Sequence, residues 1–200
     1  MKSAEYYLNS GPKTLVTENI QKLAETINGK TSEDIIWQII SVMNIWAPRI
    51  SDKGSKEKFR RSADEILKSG NRNGCCDSCT LFVALCRAKG IPAFQIIAIN
   101  IDALKEGIFS KGHFFAGCYL KEKEKWIWLD SDFSGKDKSK LDSDDFNPSS
   151  KYINKHFYIF GIERDYSEFE MDGIKIDSIP HMIDIHMKVY EKFLKDSIGK

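Results

Sequence analysis

Gly74-Cys75-Cys76-Asp77-Ser78-Cys79-Thr80-Leu81-Phe82-Val83-Ala84-Leu85-Cys86-Arg87-Ala88-Lys89-Gly90-Ile91-Pro92-Ala93 reads as a helix with both ends marked. Asn71-Arg72-Asn73-Gly74 before it is turn chemistry. Gly90 after it suits a left-handed C-terminal position, and Pro92 blocks continuation. Leu81, Ala84, Leu85 and Ala88 recur at i, i+3, i+4 and i+7, while Phe82, Val83 and Cys86 carry apolar character round the other side. The helix is therefore expected to be buried. Its first turn holds paired cysteines, and the free N–H groups and positive dipole end there favour a thiolate, a nucleophile at neutral pH.

Three helices are expected upstream. Ile20, Leu23, Ala24 and Ile27 give an amphipathic face from Thr17 to Asn28-Gly29. Thr31-x-x-Asp34 is a capping box for a second helix carrying Ile36, Ile39, Ile40 and Met43, with Trp37 and Trp46 adding bulk and Pro48 closing it. After a basic loop from Arg49 to Arg61, Ser62-x-x-Glu65 caps a third helix over 63–69, with Gly70 as its stop. Residues 1–16 read as a loosely structured lead-in with a turn at Gly11-Pro12.

Beyond Pro92 the period changes. Residues 94–101 are rich in β-branched side chains and read as a buried strand. Asp102 to Lys111 reads as a loop. Residues 113–120 and 126–130 read as two strands joined by a solvated Lys/Glu turn. Asp132 to Ser150 is a polar loop, 156–160 a further strand, and 166–171 and 174–176 a hairpin turned by Asp172-Gly173. Met182 to Ser197 is a final amphipathic helix. Helices first and a mostly antiparallel sheet after predict an α+β fold, and no linker or repeat divides residues 1–200, so one domain is expected.

Lys+Arg 30 against Asp+Glu 29 leaves no bulk field for nucleic acid or an anionic membrane surface. No run of about 18 uncharged apolar residues offers a membrane span. The chain opens without the apolar run of a secretory signal. Five cysteines, four of them between Cys75 and Cys86, make a poor disulfide framework, so a reducing, cytoplasmic compartment is expected.

A cysteine nucleophile needs a base and a group that orients the base. Of the four histidines, His113 opens a strand at a loop edge, and Asp130 ends the next strand. An antiparallel hairpin makes the two cross-strand neighbours. His156 reads as strand packing, and His181 and His186 as surface or interhelical residues. Other readings stand beside this one. Cys76-Asp77-Ser78-Cys79 is a C-x-x-C at a helix start, the arrangement of dithiol oxidoreductases. The cysteine cluster with His113 offers zinc ligands, but without two separated knuckles. Cys75 itself reads alternatively as a small buried apolar residue, with Cys86 and Cys118 as core fillers.

Gly74-Cys75-x-Asp77-x-Cys79-x-Leu81-Phe82-Val83-Ala84-Leu85-x-Arg87-Ala88-x-Gly90-Ile91-Pro92-Ala93, His113 to Tyr119, and Trp126-x-x-Leu129-Asp130 together resemble the transglutaminase-like superfamily, which includes transglutaminases, peptide N-glycanases and microbial cysteine proteases. The resemblance covers about residues 60–133. It implies a papain-like core, with a central helix carrying the nucleophile packed on an antiparallel sheet that supplies His and Asp. By that resemblance the nucleophile lies twelve positions before Arg87, which makes Cys75 the nucleophile, His113 the base and Asp130 its orienter. It further implies amide chemistry on a protein or peptide substrate through an acyl-enzyme, ending in hydrolysis or in transfer to an amine, with no metal or organic cofactor. Trp126 and Trp128 read as core or as walls of the substrate groove. A non-catalytic binding or scaffold module on the same fold is the competing class. Phe94 stands where the family often has Arg, Gly117-Cys118 where an acid and an aliphatic residue are common, and Ser131-Asp132 where Pro-Thr or Pro-Ser follows the Asp.

Overall fold

The computed structural model of the chain describes residues 1–50, 57–132 and 150–198. The polar stretch read as a loop from Asp132 to Ser150 lies, over 133–149, outside the described residues, as do positions 51–56 of the basic loop.

The helices form where their caps predict them. In α1 (Glu18–Glu25) the Thr17 side chain accepts the Ile20 N–H. In α2 (Ser32–Trp46) and α3 (Ala63–Ser69) both halves of the capping box are made, by Thr31 with Asp34 and by Ser62 with Glu65. Gly70 ends α3 in the left-handed region at φ 64°. Ile36, Ile39, Ile40 and Met43 are buried as the spacing requires, but Trp46 is 59% exposed at the end of α2. The cysteine helix is α4 (Cys75–Ala88), entered through Gly74 at φ 102°, with every residue from Cys76 to Arg87 buried. It packs on α1, α2 and α3 on one side and on the sheet on the other, so it has no polar face. That explains why its apolar residues run all the way round.

The sheet is built from β1 (Ala93–Asn100), β2 (Gly112–Leu120), β3 (Lys125–Leu129), β4 (Tyr152–Ile153) and β5 (Phe157–Glu163), in the order β3-β2-β1-β5-β4. All the pairings are antiparallel. β1 is central and buried along nearly its whole length, as its β-branched run predicts. One face, with Ile97, Phe114, Ala116, Ile127 and Leu129, joins the helical core. The other face carries a second core of Phe94, Ile96, Phe115, Trp128 and Ile159, covered by Tyr7. A small hairpin, β6 (Glu170–Met171) and β7 (Ile174–Lys175), turns at Asp172 (φ 50°) and Gly173 (φ 79°) as the Asp-Gly pair predicts. The chain continues into α6 (Ile179–Ile198). This is an α+β arrangement, with the helices first and the antiparallel sheet after. Among the described residues no helix is long and apolar enough to cross a membrane.

Four local expectations are corrected. The 1–16 lead-in is not loose. Tyr7 is buried, its carbonyl accepts Arg87 Nε–H at 2.9 Å, and Thr14 lies between Arg87 and Asp165. Arg87 also donates to the carbonyls of Ala93 and Arg164, so one buried guanidinium ties four segments together. Between β1 and β2 a short helix α5 (Ile101–Lys105) forms, capped by the Asn100 side chain on Ala103 N–H. The Lys/Glu tip is exposed yet anchored, because Glu122 accepts the Ser32 N–H at the start of α2. His156 sits exposed in the β4–β5 turn rather than packed.

The departures at Phe94 and Gly117 explain each other. The two are paired across β1 and β2, and a Cβ at position 117 would lie 2.2 Å from the Phe94 ring. The buried Phe94 occupies the space that any side chain at 117 would need.

Candidate functional site

Cys75 is the first residue of α4, so its backbone N–H has no intrahelical acceptor and lies at the positive end of the helix. The loop leading into the helix is fixed from below. Asp77 accepts the Asn73 N–H at 2.7 Å and pairs with the Arg61 guanidinium, which also donates to Ser69 and Asn71. Gly74 gives the sharp entry, and Cys75 is left half-buried at the rim while its neighbours Cys76 and Cys79 are buried.

His113 is the second residue of β2 and meets Asp130 just past β3, with Nε2 2.8 Å from Asp130 Oδ2. The register shows how. Ala116 pairs with Leu129, which places Asp130 across from Phe115 and makes His113 its diagonal neighbour on the same face. The expected pairing of first and last residue is thus shifted by two, and the imidazole spans the difference. Its second hydrogen-bonding contact is the Cys75 thiol. Asp130 takes Nε2. The Phe115 ring stands edge-on to the imidazole at 4.5 Å between centroids.

Burial, the largest influence on His113, would lower its pKa. The hydrogen bonds to Asp130 and Cys75 and their charges outweigh it, and the pKa rises from 6.5 to about 10. Burial likewise pushes the Asp130 carboxyl up, but His113, the Asp132 N–H and Arg49 overcome it and hold Asp130 below the usual carboxylate range. An imidazolium flanked by a carboxylate is therefore the stable form at neutral pH.

The sequence reading missed the group that holds this pair to the helix. The Asp132 N–H donates to Asp130 Oδ1 at 3.0 Å. The Asp132 carboxylate accepts from Ser78 on α4 and pairs with Arg49 at 2.6 Å and with buried Arg72 at 3.7 Å. Arg72 also donates to the Ala47 carbonyl, to Ser78 and to Asn44. Ser78 lies three residues after Cys75, on the same side of α4, so one side-chain network fixes nucleophile and orienter in a common frame. The Asp132 that replaces the more usual Pro-Thr or Pro-Ser is this network's centre.

Trp126 and Trp128 lie elsewhere. Trp128 is in the second core, edge-on to Phe115, and Trp126 packs with Tyr7, Phe94 and Tyr119. Among the described residues, the walls around Cys75 and His113 come from other elements. An open cleft of about 620 Å³ runs past them between Arg49, Asn100, Asp102 and Lys111. A deeper cavity of about 250 Å³ reaches from them to α6. His186, read from sequence as a surface or interhelical residue, is 1% exposed and forms part of the wall of that cavity. A signal for it existed: Met182, Ile185, His186 and Val189 follow i, i+3, i+4, i+7, and all are buried. His181 is exposed and pairs with Asp177.

Gly112, just before His113, touches His186. A Cβ there would lie 2.5 Å from His186 Cε1 and 2.8 Å from Nε2. Gly112→Ala is expected to displace the start of β2, with a stability loss of about 1–3 kcal/mol by overpacking. Chemical denaturation reads the loss, and alkylation of Cys75 should slow alongside it. An unchanged midpoint and labelling rate would show that the strand end tolerates the methyl group.

The chemistry of the remaining thiols is narrow. Burial pushes Cys76, Cys79 and Cys86 far above the ordinary thiol pKa, and Cys79 donates to the Phe115 carbonyl. Cys76 and Cys79 are thus poor thiolates, which weighs against C-x-x-C chemistry. Cys86 and Cys118 are buried neighbours in the core. Among the described residues no three His, Cys, Asp or Glu side chains are grouped to hold a metal ion.

The transglutaminase-like superfamily model matches residues 21–131, more than half of the chain. No curated protein sequence matches. A crystal structure of a proposed cysteine protease from Cytophaga hutchinsonii superposes with a TM-score of 0.57 at 20% identity, over 82% of this chain and 48% of that one. At that identity the likeness speaks for the fold, and this chain spans about half the length of that neighbour. From the matched span, the cysteine at the head of a buried helix and the His–Asp pair on the adjoining sheet, the chain belongs to the transglutaminase-like superfamily.

Proposed function

We propose that the protein is a cysteine hydrolase of amide bonds in a protein or peptide, with Cys75 as nucleophile, His113 as acid and base, and Asp130 as its orienter. The observation that carries the reading is the unbroken contact from the Cys75 thiol through His113 to Asp130 at the edge of an open cleft. The imidazolium beside the sulfur places a positive charge and a proton donor next to the attacking atom. The tetrahedral oxyanion would meet the free N–H of Cys75 at the helix start. His113 then protonates the leaving amine, and the thioester is released to water activated by the same imidazole. No cofactor enters this scheme. We assign the protein to a reducing compartment, where the thiol persists.

Iodoacetamide at neutral pH tests the reading. Cys75 should be alkylated well ahead of the four buried cysteines, and a peptide substrate should leave an acyl adduct on Cys75 detectable by intact mass. Slow labelling spread evenly over all five thiols would sink it. Adduct transfer to an added amine in preference to water would reassign the protein as a transamidase.

A further inference from the structure

We propose that the cavity running from Cys75 and His113 to α6 is a subsite for a large apolar side chain, of phenylalanine size, next to the amide carbonyl that Cys75 attacks. The inference rests on the amide-bond reading and adds a substrate class to it. The cavity, about 250 Å³, is walled by Phe59, Ile97, Phe109, Phe114, Met182 and Ile183. It shares Cys75, His113, Gly112, Ser110 and Lys58 with the open cleft. A peptide lying in the cleft with a carbonyl at the sulfur therefore has this space within one side chain's reach.

The wall also says what the space rejects. His186 is a buried polar residue on the α6 side of it, and both its nitrogens are turned away from solvent-accessible space. Nδ1 lies 2.5 Å from the Phe109 carbonyl, and Nε2 is buried against Gly112 without a partner among the described residues. Burial also keeps this imidazole neutral, so the α6 side of the wall carries no charge for an acidic side chain, and the cations Lys58 and His113 stand at the end shared with the cleft. Among the described lining residues the remaining polar groups, Ser110, Lys58, His113 and Cys75, are those shared by cavity and cleft. Past that shared end a polar or charged side chain would lose its water for an apolar wall, whereas an aromatic ring meets three phenylalanines and aliphatic side chains.

Ile183 lies on the first turns of α6 and is half-buried, so it can be changed without opening the core. The probes are N-acetyl-phenylalanine amide and N-acetyl-alanine amide, titrated into the full chain by NMR, which reads binding whether or not the thiol reacts. The phenylalanine amide is expected to bind at least about tenfold more tightly, the lower range of what an apolar pocket discriminates. Ile183→Trp, which fills the cavity, and Ile183→Asp, which charges it, should each erase that preference. Peptides with Phe, Ala or Glu beside the scissile bond should be turned over in that order by the wild type. Equal binding of the two amides, or a preference that survives both variants, overturns the subsite. Binding preference without turnover of any peptide leaves the subsite standing and removes the hydrolase reading instead.

Discussion

His113→Ala is expected to lower kcat/KM for a peptide amide by about 10⁴-fold or more, and to remove the preferential alkylation of Cys75. The size follows from what the imidazole touches. It is in hydrogen-bonding contact with the Cys75 thiol on one side and with Asp130 at 2.8 Å on the other. Its removal costs the positive charge beside the sulfur and the proton that the leaving amine needs, two steps in series. About 10⁴-fold corresponds to about 5.5 kcal/mol of transition-state stabilisation. The fold should survive, because His113 is partly exposed at a strand end and its face of the sheet is packed by Phe115, Phe157 and Trp128. Unchanged far-UV dichroism and melting alongside the lost labelling would place the effect in the chemistry. If Cys75 in the variant labels as fast as in the wild type, the base is another group and the assignment is wrong.

The parts of this molecule that local sequence rules could reach are those whose cause is local. Thr31 with Asp34, Ser62 with Glu65, Gly70, Gly74, Gly90 and Asp172-Gly173 each fix a cap or turn through a bond or a backbone angle within a few residues. The buried stripe of α4 and the strands β1 to β3 follow from periodicity. What was hidden depends on residues far apart in the chain. Arg87 is legible as a motif position, but its partners Tyr7, Thr14 and Arg164 lie 73 to 80 residues away, so the N-terminal segment looked loose when it is clamped. Asp132 reads as one more polar residue in a loop until Ser78, Arg49 and Arg72 converge on it. The tryptophans flank Asp130 in sequence, which leaves core and groove wall both open. Alternation along β3 does put Trp126, Trp128 and Asp130 on one face, but that face covers the second core before it reaches the rim.

Asp130→Asn is expected to cost about 10²–10⁴-fold in kcat/KM near neutral pH and to move the alkaline limit of activity downward. In the wild type, Asp130 and Cys75 raise His113 from 6.5 to about 10 against the opposing pull of burial. Amide hydrolysis needs the imidazolium as proton donor, so activity should hold through neutral pH and fall as pH rises through about 10. The amide of Asn carries no charge, and turned with its NH₂ toward Nε2 it disfavours the productive tautomer. With the main opposing support for the cation gone, burial pulls the pKa down and the falling limb shifts toward the ordinary imidazole range. The linkage to stability has the same sign. A raised folded-state pKa stabilises the fold fully below about 6.5, and that contribution fades as pH rises through about 10. Asp130, held below the ordinary carboxylate range, contributes above that range and loses its contribution as acid protonates it. Wild type should therefore melt above Asp130→Asn at pH 7, with the gap narrowing above pH 10 and again in acid. Rate–pH profiles of the two proteins on one peptide decide the matter. A variant whose alkaline limb stays near 10 would mean that Asp130 holds the imidazole in place without setting its charge, and the raised pKa would then belong to the Cys75 thiolate alone.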